Sequence, residues 1–123
     1  MAVDVLIVDD SAAIRKILHR ALKQANVTLG NVYEAGDGLE ALASLKKNKV
    51  DLILSDINMP NMDGLEMLGR IKSDLALKNV PVIMVSTEGS QTKVIEAVQL
   101  GAAGYVRKPF TPEQIKDKLA GLF

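Results

Sequence analysis

The sequence predicts an α/β domain: one parallel sheet with helices packed on both of its faces. Three features carry that prediction. Five strand candidates alternate with five segments of helical periodicity along 123 residues. The strand candidates are short and nearly continuous in apolar residues, as suits strands covered on both sides, whereas a sheet with one wet face would alternate apolar and polar positions. Alternation at this spacing also fits βα units, whose helical crossovers keep successive strands parallel.

In chain order, residues 4–8 form the first strand candidate, with Val5, Leu6, Ile7 and Val8 running up to Asp9 and Asp10. Ser11 opens a helix whose apolar positions are Ile14, Ile17, Leu18, Ala21 and Leu22. Residues 31–35 make the second strand, less apolar than the first and so placed nearer the sheet edge. Gly36, Asp37 and Gly38 punctuate the chain before a helix carried by Leu39, Ala41, Leu42 and Leu45. Lys46, Lys47 and Asn48 close it, with Lys46, Lys47 and Lys49 read as a solvated helix end.

Leu52, Ile53 and Leu54 form the third strand, which stops at Ser55 and Asp56. A turn-rich loop ending in Asn61, Met62, Asp63 and Gly64 leads to a helix with Leu65, Met67, Leu68 and Ile71 on its face. Gly69 inside that helix costs about 1 kcal/mol relative to Ala, and nothing in the sequence accounts for it. Residues 81–85 are the fourth strand, followed by the turn Ser86, Thr87, Glu88 and Gly89. The next helix spans about 90–100, with Val94, Ile95 and Val98 on one side and Gly101 as its stop. Residues 104–107 form a short last strand. Thr111, Pro112 and Gln114 then supply an N-cap, a first-turn proline and a capping-box partner, and Ile115, Leu119 and Leu122 face the core.

Composition narrows the function classes. Lys plus Arg and Asp plus Glu each number 15, giving a formal net charge of +0. A nucleic-acid binder normally carries a basic excess for phosphate contacts, so direct DNA or RNA binding is disfavoured. With no Cys there is no disulfide, thiolate nucleophile or Cys-based metal site. No apolar run would span a bilayer and no secretory leader opens the chain, so the expected address is the cytoplasm. Residues 1–123 are expected to form one domain with no output module attached.

The polar groups at the strand ends carry the chemistry. Asp9 and Asp10 follow the first strand, Asp56 the third, Ser86 the fourth and Lys108 the last. In open parallel sheets ligands gather outside the carboxyl ends of the strands, so these residues converge on one crevice. Carboxylates brought together from separate strands repel, which is tolerable chiefly around a hard cation, and oxygen-only ligation suits Mg²⁺. Lys108 adds a point charge and Ser86 a hydroxyl, a set able to neutralise a phosphoryl group on a carboxylate. Singly, each has a bland reading: Asp9 and Asp10 as helix-start acids, Ser86 and Lys108 as turn residues, Tyr105 as a half-buried strand residue. His19, the only His, is read as solvent-facing, and Met59, Met62, Met67 and Met84 as packing residues.

Four segments decide between these readings. Residues 8–10 (Val8, Asp9, Asp10), residues 54–64 around Asp56 and Pro60, residues 85–87 (Val85, Ser86, Thr87), and residues 101–110 ending in Lys108, Pro109 and Phe110 resemble the signature segments of two-component response-regulator receiver domains. The likeness covers essentially the whole chain and is greatest to the single-domain chemotaxis, CheY-like type. It implies a flavodoxin-like, doubly wound sheet of five parallel strands in order 2-1-3-4-5 with five helices. It also implies that Asp56 is the phosphoacceptor, and that Asp10, Asp56 and the Asn58 carbonyl bind Mg²⁺ with Asp9 assisting through water. Lys108, followed by a cis bond to Pro109, would hold the phosphoryl oxygens, while Ser86 and Tyr105 act as the switch.

The resemblance further implies a histidine kinase as phosphodonor, a target protein such as a flagellar motor switch, and in some pathways a phosphatase. The target would read the face of the fourth helix, fifth strand and fifth helix of a monomer. Asn58 and Glu88, two residues past the phosphoacceptor and the switch hydroxyl, resemble the pair in fast-turnover regulators, implying self-dephosphorylation in seconds to minutes. Alternatives within the family are a phosphorelay shuttle and a phosphate sink. An aspartyl-phosphate hydrolase would instead place its nucleophile after the first strand in an Asp-x-Asp arrangement under a cap, and a non-phosphorylated interaction module would lack an acid or the lysine.

Overall fold

The computed structural model describes residues 2–87, 91–120 and 122. Ten elements alternate: β1 (Val3–Val8), α1 (Ala12–Gln24), β2 (Leu29–Ala35), α2 (Gly38–Lys47), β3 (Leu52–Ser55), α3 (Gly64–Lys72), β4 (Val82–Ser86), α4 (Gln91–Gln99), β5 (Gly104–Arg107) and α5 (Pro112–Leu119). All strand pairings are parallel, and the sheet runs β2-β1-β3-β4-β5, the expected flavodoxin-like order. The order reverses direction beside β1, so the carboxyl ends of β1 and β3 flank a crevice with helices diverging to either side.

The apolar runs explain the two layers. Successive side chains of a strand point to opposite faces, so each central strand feeds both cores. Leu6, Val8, Ile53, Val82 and Met84 face one core, where Ala41 and Leu45 of α2, Leu65, Met67, Leu68 and Ile71 of α3, and Ala97 of α4 cover them. Val5, Ile7, Leu52, Leu54, Ile83 and Val85 face the other, under Leu18, Ala21 and Leu22 of α1 and Ile115 and Leu119 of α5. Each fully buried aliphatic side chain contributes about 1.5–3 kcal/mol, which fixes the strand ends relative to one another.

Polar side chains set where the helices begin. The Ser11, Asp37 and Asp63 side chains accept the backbone N–H groups of Ile14, Glu40 and Glu66, and Thr111 forms the anticipated capping box with Gln114. Several details differ from expectation: Leu122, expected to face the core, is 37% exposed, and Ser86, read as a turn residue, closes β4. β2 starts at Leu29 rather than at residue 31, because Leu29 pairs with Val3 across a register irregularity and the Asn31 N–H is held by Asp4 at 2.7 Å. Leu39 sits on the outer side of α2, leaving Ala41 and Leu45 to pack. On α4 only Ala97 is buried, while Ile95 and Val98 are 47% and 61% exposed. Met62, Met67 and Met84 are buried and Met59 packs beside them, as expected.

Candidate functional site

β1 hands the chain to the crevice at Asp9. Its N–H still donates to the Ala35 carbonyl at 3.1 Å, so the residue is placed by the sheet itself. The Asp9 carboxylate is buried, 1% exposed, and one oxygen accepts the Ser11 N–H at 2.9 Å. Arg15 of α1 reaches back to donate to the Asp9 carbonyl at 2.6 Å while pairing with Glu34 of β2 at 2.8 Å. Asp10, next in the chain, stands exposed at the mouth.

β3 delivers Asp56 in the same way. Its N–H donates to the Val8 carbonyl at 2.9 Å, and the buried Ser55 hydroxyl donates to the Asp56 carbonyl at 2.8 Å. Its Oδ1 accepts the Ile57 N–H at 2.7 Å. Gly64 packs against the Asp56 carbonyl so closely that any β-carbon there would collide with it, and the Gly64 N–H donates to the Ile57 carbonyl at 2.7 Å. The loop leaving β3 is therefore folded tightly under Asp56, whose side chain is 11% exposed.

Lys108 arrives from the end of β5. Its N–H donates to the Ser86 carbonyl at 2.9 Å, and the bond to Pro109 is cis, as the resemblance implied. Its ammonium lies 2.8 Å from Asp9 Oδ2 and 3.3 Å from Asp56 Oδ2. Burial by itself favours the neutral amine, but the hydrogen bond to Asp9 and the charges of Asp56 and Asp9 outweigh it and hold the ammonium above its ordinary value of 10.5. Lys108 therefore stays charged through the neutral range, and its stabilising contribution fades only as pH rises through that raised value.

Asp9, Asp10 and Asp56 each present a carboxylate oxygen within 4.8 Å of the others. Three carboxylates against one ammonium leave an excess of negative charge. Every donor in the set is a hard oxygen, two are buried and one opens to solvent, so the arrangement fits a Mg²⁺ ion that keeps part of its water shell.

Comparison with known proteins agrees with this geometry. The family model described as "Response regulator receiver domain" matches residues 5–120. The chain belongs to the response-regulator receiver family. It is 42% identical over 119 residues to chemotaxis protein CheY-3 of Vibrio cholerae, covering 97% of this chain and 90% of that protein. Identity to chemotaxis protein CheY of Pseudomonas aeruginosa is 40%, covering 97% and 94%. Among solved structures, the receiver resembles CheY4 of V. cholerae crystallised at low pH (TM-score 0.87, 37% identity, 100% of both chains). It also resembles a chain of the CheX–CheY–BeF3–Mg²⁺ complex of Borrelia burgdorferi (TM-score 0.88, 31% identity, 98% of this chain and 89% of that one). The chain is thus a phosphorylation-regulated signalling protein of the two-component class rather than a metabolic enzyme.

The remaining sequence candidates lie on β4, on β5 and in the loop after Asp56, with one outside the described residues. Ser86 closes β4 and is 0% exposed, opposite Arg107 in the β4–β5 register. Tyr105 lies on β5 opposite Met84, half-buried against the α2–α3–α4 core. Asn58 is exposed in the loop after Asp56, and Glu88 lies outside the described residues. Sequence reasoning missed Arg15, Ser55 and Gly64 as site builders. Ser55, a hydroxyl beside the acid at the strand end, and Gly64, a glycine in the turn-rich loop that follows, carried a usable signal, whereas nothing in the sequence distinguishes Arg15 from other helix cations. Among the described residues no helix is long and apolar enough to cross a membrane.

Proposed function

We propose that the receiver takes a phosphoryl group from the phosphohistidine of a histidine kinase onto Asp56 and thereby switches its affinity for a target protein in a chemotaxis-type pathway. The observation that carries this reading is the corner where Lys108 bridges Asp9 and Asp56 beside the open carboxylate of Asp10. A carboxylate oxygen of Asp56 attacks phosphorus, the P–N bond breaks, and its electron pair leaves with the imidazole. Lys108 follows the charge onto the phosphoryl oxygens, and the Ile57 N–H keeps the other Asp56 oxygen in place. Asp10, Asp56 and the Asn58 carbonyl would hold Mg²⁺, with Asp9 acting through water, and the ion would neutralise charge on the transferring group. An apolar cavity of about 300 Å³, lined by Ile14, Ile17, Pro109 and Phe110 beside Lys108, supports docking of the donor protein at this mouth.

The added phosphate carries roughly −1.5 to −2 charges and three acceptors, enough to draw the Ser86 hydroxyl inward and let Tyr105 follow. The exposed Ile95 and Val98 of α4, with Tyr105 and α5, make the surface that such a shift would present to a cytoplasmic target. Asn58 and Glu88 tune hydrolysis of the acyl phosphate to seconds or minutes. Intact mass after incubation with Mg²⁺ and acetyl phosphate tests the reading. One phosphate adduct, absent with EDTA and absent in Asp56→Asn, is expected; no adduct in the wild type would overturn it, and an adduct persisting in the variant would reject Asp56 as acceptor.

A further inference from the structure

The loop from Ile57 to Gly64 is held from outside as well as from within. Within it, the Met62 N–H donates to the Pro60 carbonyl at 2.6 Å and the Gly64 N–H to the Ile57 carbonyl at 2.7 Å. From outside, the β2–α2 turn grips its crest. The Gly38 N–H donates to the Met62 carbonyl at 3.0 Å, and a β-carbon on Gly38 would lie only 2.7 Å from the Met62 side chain. The Asp37 carboxylate divides its oxygens between two tasks: Oδ1 accepts the Glu40 N–H at 2.8 Å as the α2 cap, and Oδ2 accepts the Asn61 side-chain amide at 2.7 Å. Asn61 itself sits at φ 65°, a left-handed conformation that Asn tolerates and most residues do not.

We infer that Asp37 and Asn61 are positioning residues for the metal site, clamping the loop that carries Asn58 and so fixing where its carbonyl stands relative to the Asp10 and Asp56 carboxylates. This rests on the Mg²⁺-dependent receiver reading proposed above. Neither residue belongs to the proposed ligand set; they act by fixing the far side of a loop whose near side begins at the acceptor carboxylate. A tether of this kind matters more for Mg²⁺ than for a softer or larger ion, because Mg²⁺ demands near-octahedral geometry and a displaced carbonyl is exchanged for water. Outer-shell partners of metal ligands commonly account for about 10-fold or more in affinity.

Two substitutions cut the clamp from opposite ends without removing other functions. Asn61→Gly deletes the amide while suiting the positive φ, and Asp37→Ser keeps an N-cap oxygen for α2 but is too short to reach Asn61. Asp37→Asn retains both the cap and, once the Asn61 amide turns over, the tether, while removing the charge. Mg²⁺ dissociation constants are measured by titration calorimetry on the unphosphorylated protein, alongside urea midpoints in EDTA. We expect Asn61→Gly and Asp37→Ser each to weaken Mg²⁺ binding by about 10-fold. The double variant should be no weaker than either single one, since both sever one contact, and Asp37→Asn should stay within about two-fold of wild type. Wild-type affinity in the two cutting variants, with or without a lowered urea midpoint, would overturn the inference, as would an Asp37→Asn protein as weak as Asp37→Ser, which would assign the effect to charge. A wild-type protein that binds no Mg²⁺ would instead refute the Mg²⁺-dependent phosphotransfer proposed above, and the inference with it.

Discussion

Removing the exposed acid of the corner should make the metal-free protein more stable. Asp10 has carboxylate oxygens of Asp9 and Asp56 within 4.8 Å. Two like charges at that separation repel by ~0.9 kcal/mol at the permittivity of water and ~3.5 kcal/mol at an effective value near 20. Because Asp10 faces solvent, the watery figure governs, and Lys108, paired with both Asp9 and Asp56, offsets part of the two repulsions. Asp10→Asn should therefore gain about 1 kcal/mol in EDTA. With an unfolding entropy of about 0.26 kcal/mol/K for a chain this long, that is a rise in Tm of roughly 4 °C. Mg²⁺ should reverse the ranking: an ion at 100 times its Kd stabilises the wild type by about 2.7 kcal/mol, whereas the variant has lost a ligand and gains far less. Thermal unfolding of both proteins in EDTA and in a Mg²⁺ series measures this directly. A variant less stable than wild type in EDTA, or equal Mg²⁺ stabilisation of the two, would refute the claim that repulsion is stored here for a cation to relieve.

Gly64→Ala should destabilise by about 2–3 kcal/mol in urea unfolding, since its β-carbon would meet the Asp56 carbonyl; a loss below about 0.5 kcal/mol would show that the loop yields freely. Gly69→Ala should stabilise by about 1 kcal/mol, because the added carbon meets only Leu100 at 3.9 Å, and a lowered urea midpoint would contradict that. Asp37 is held below its ordinary 3.8, first by the Asn61 amide and next by the Glu40 N–H, which together outweigh burial. A depressed carboxyl stabilises above its unfolded value and loses that contribution as pH falls through the folded one. The margin of wild type over Asp37→Asn in metal-free urea unfolding should thus be full near pH 6 and shrink below about pH 4; a margin that widens on acidification would be inconsistent with it.

How legible the molecule was in its sequence depended on whether a feature is local. Leu52, Ile53 and Leu54 announce a strand buried on both faces, and Thr111, Pro112 and Gln114 announce a helix start, because each signal lies within a few residues. The acidic set and Lys108 were legible because strand ends in a parallel sheet converge by topology, without any need to know side-chain contacts. Coverage was not legible. Periodicity marks Ile95 and Val98 as lying together on α4, but whether another element covers them depends on how α4 sits on the sheet, and both remain exposed. Contacts between loops were equally hidden. Asp37 and Asn61 stand 24 residues apart in segments that read as ordinary turns, and Arg15 is one helix cation among several until α1 packs it against Asp9 and Glu34.

The way Lys108 is shared bears on why the corner can switch. One ammonium serves two carboxylates, held closer to Asp9 than to Asp56. Removing one partner of a buried ion pair usually costs 3–5 kcal/mol, because the other charge is left uncompensated. Under the proposed function, phosphorylation does not incur that penalty. Converting an Asp56 oxygen to an acyl phosphate moves negative charge outward from the carboxylate to three phosphoryl oxygens, and Lys108 can follow it while Asp9 still anchors the same ammonium. The anchor at Asp9 therefore lets the lysine change partners without passing through an unpaired state. Main-chain bonds tie Asp9, Asp56 and Lys108 to Ala35, Val8 and Ser86 and hold the supporting backbone, so under that proposal the change of partners falls on side chains. In the chain, α4 follows β4, and its Ile95 and Val98 stand exposed while Ala97 is buried.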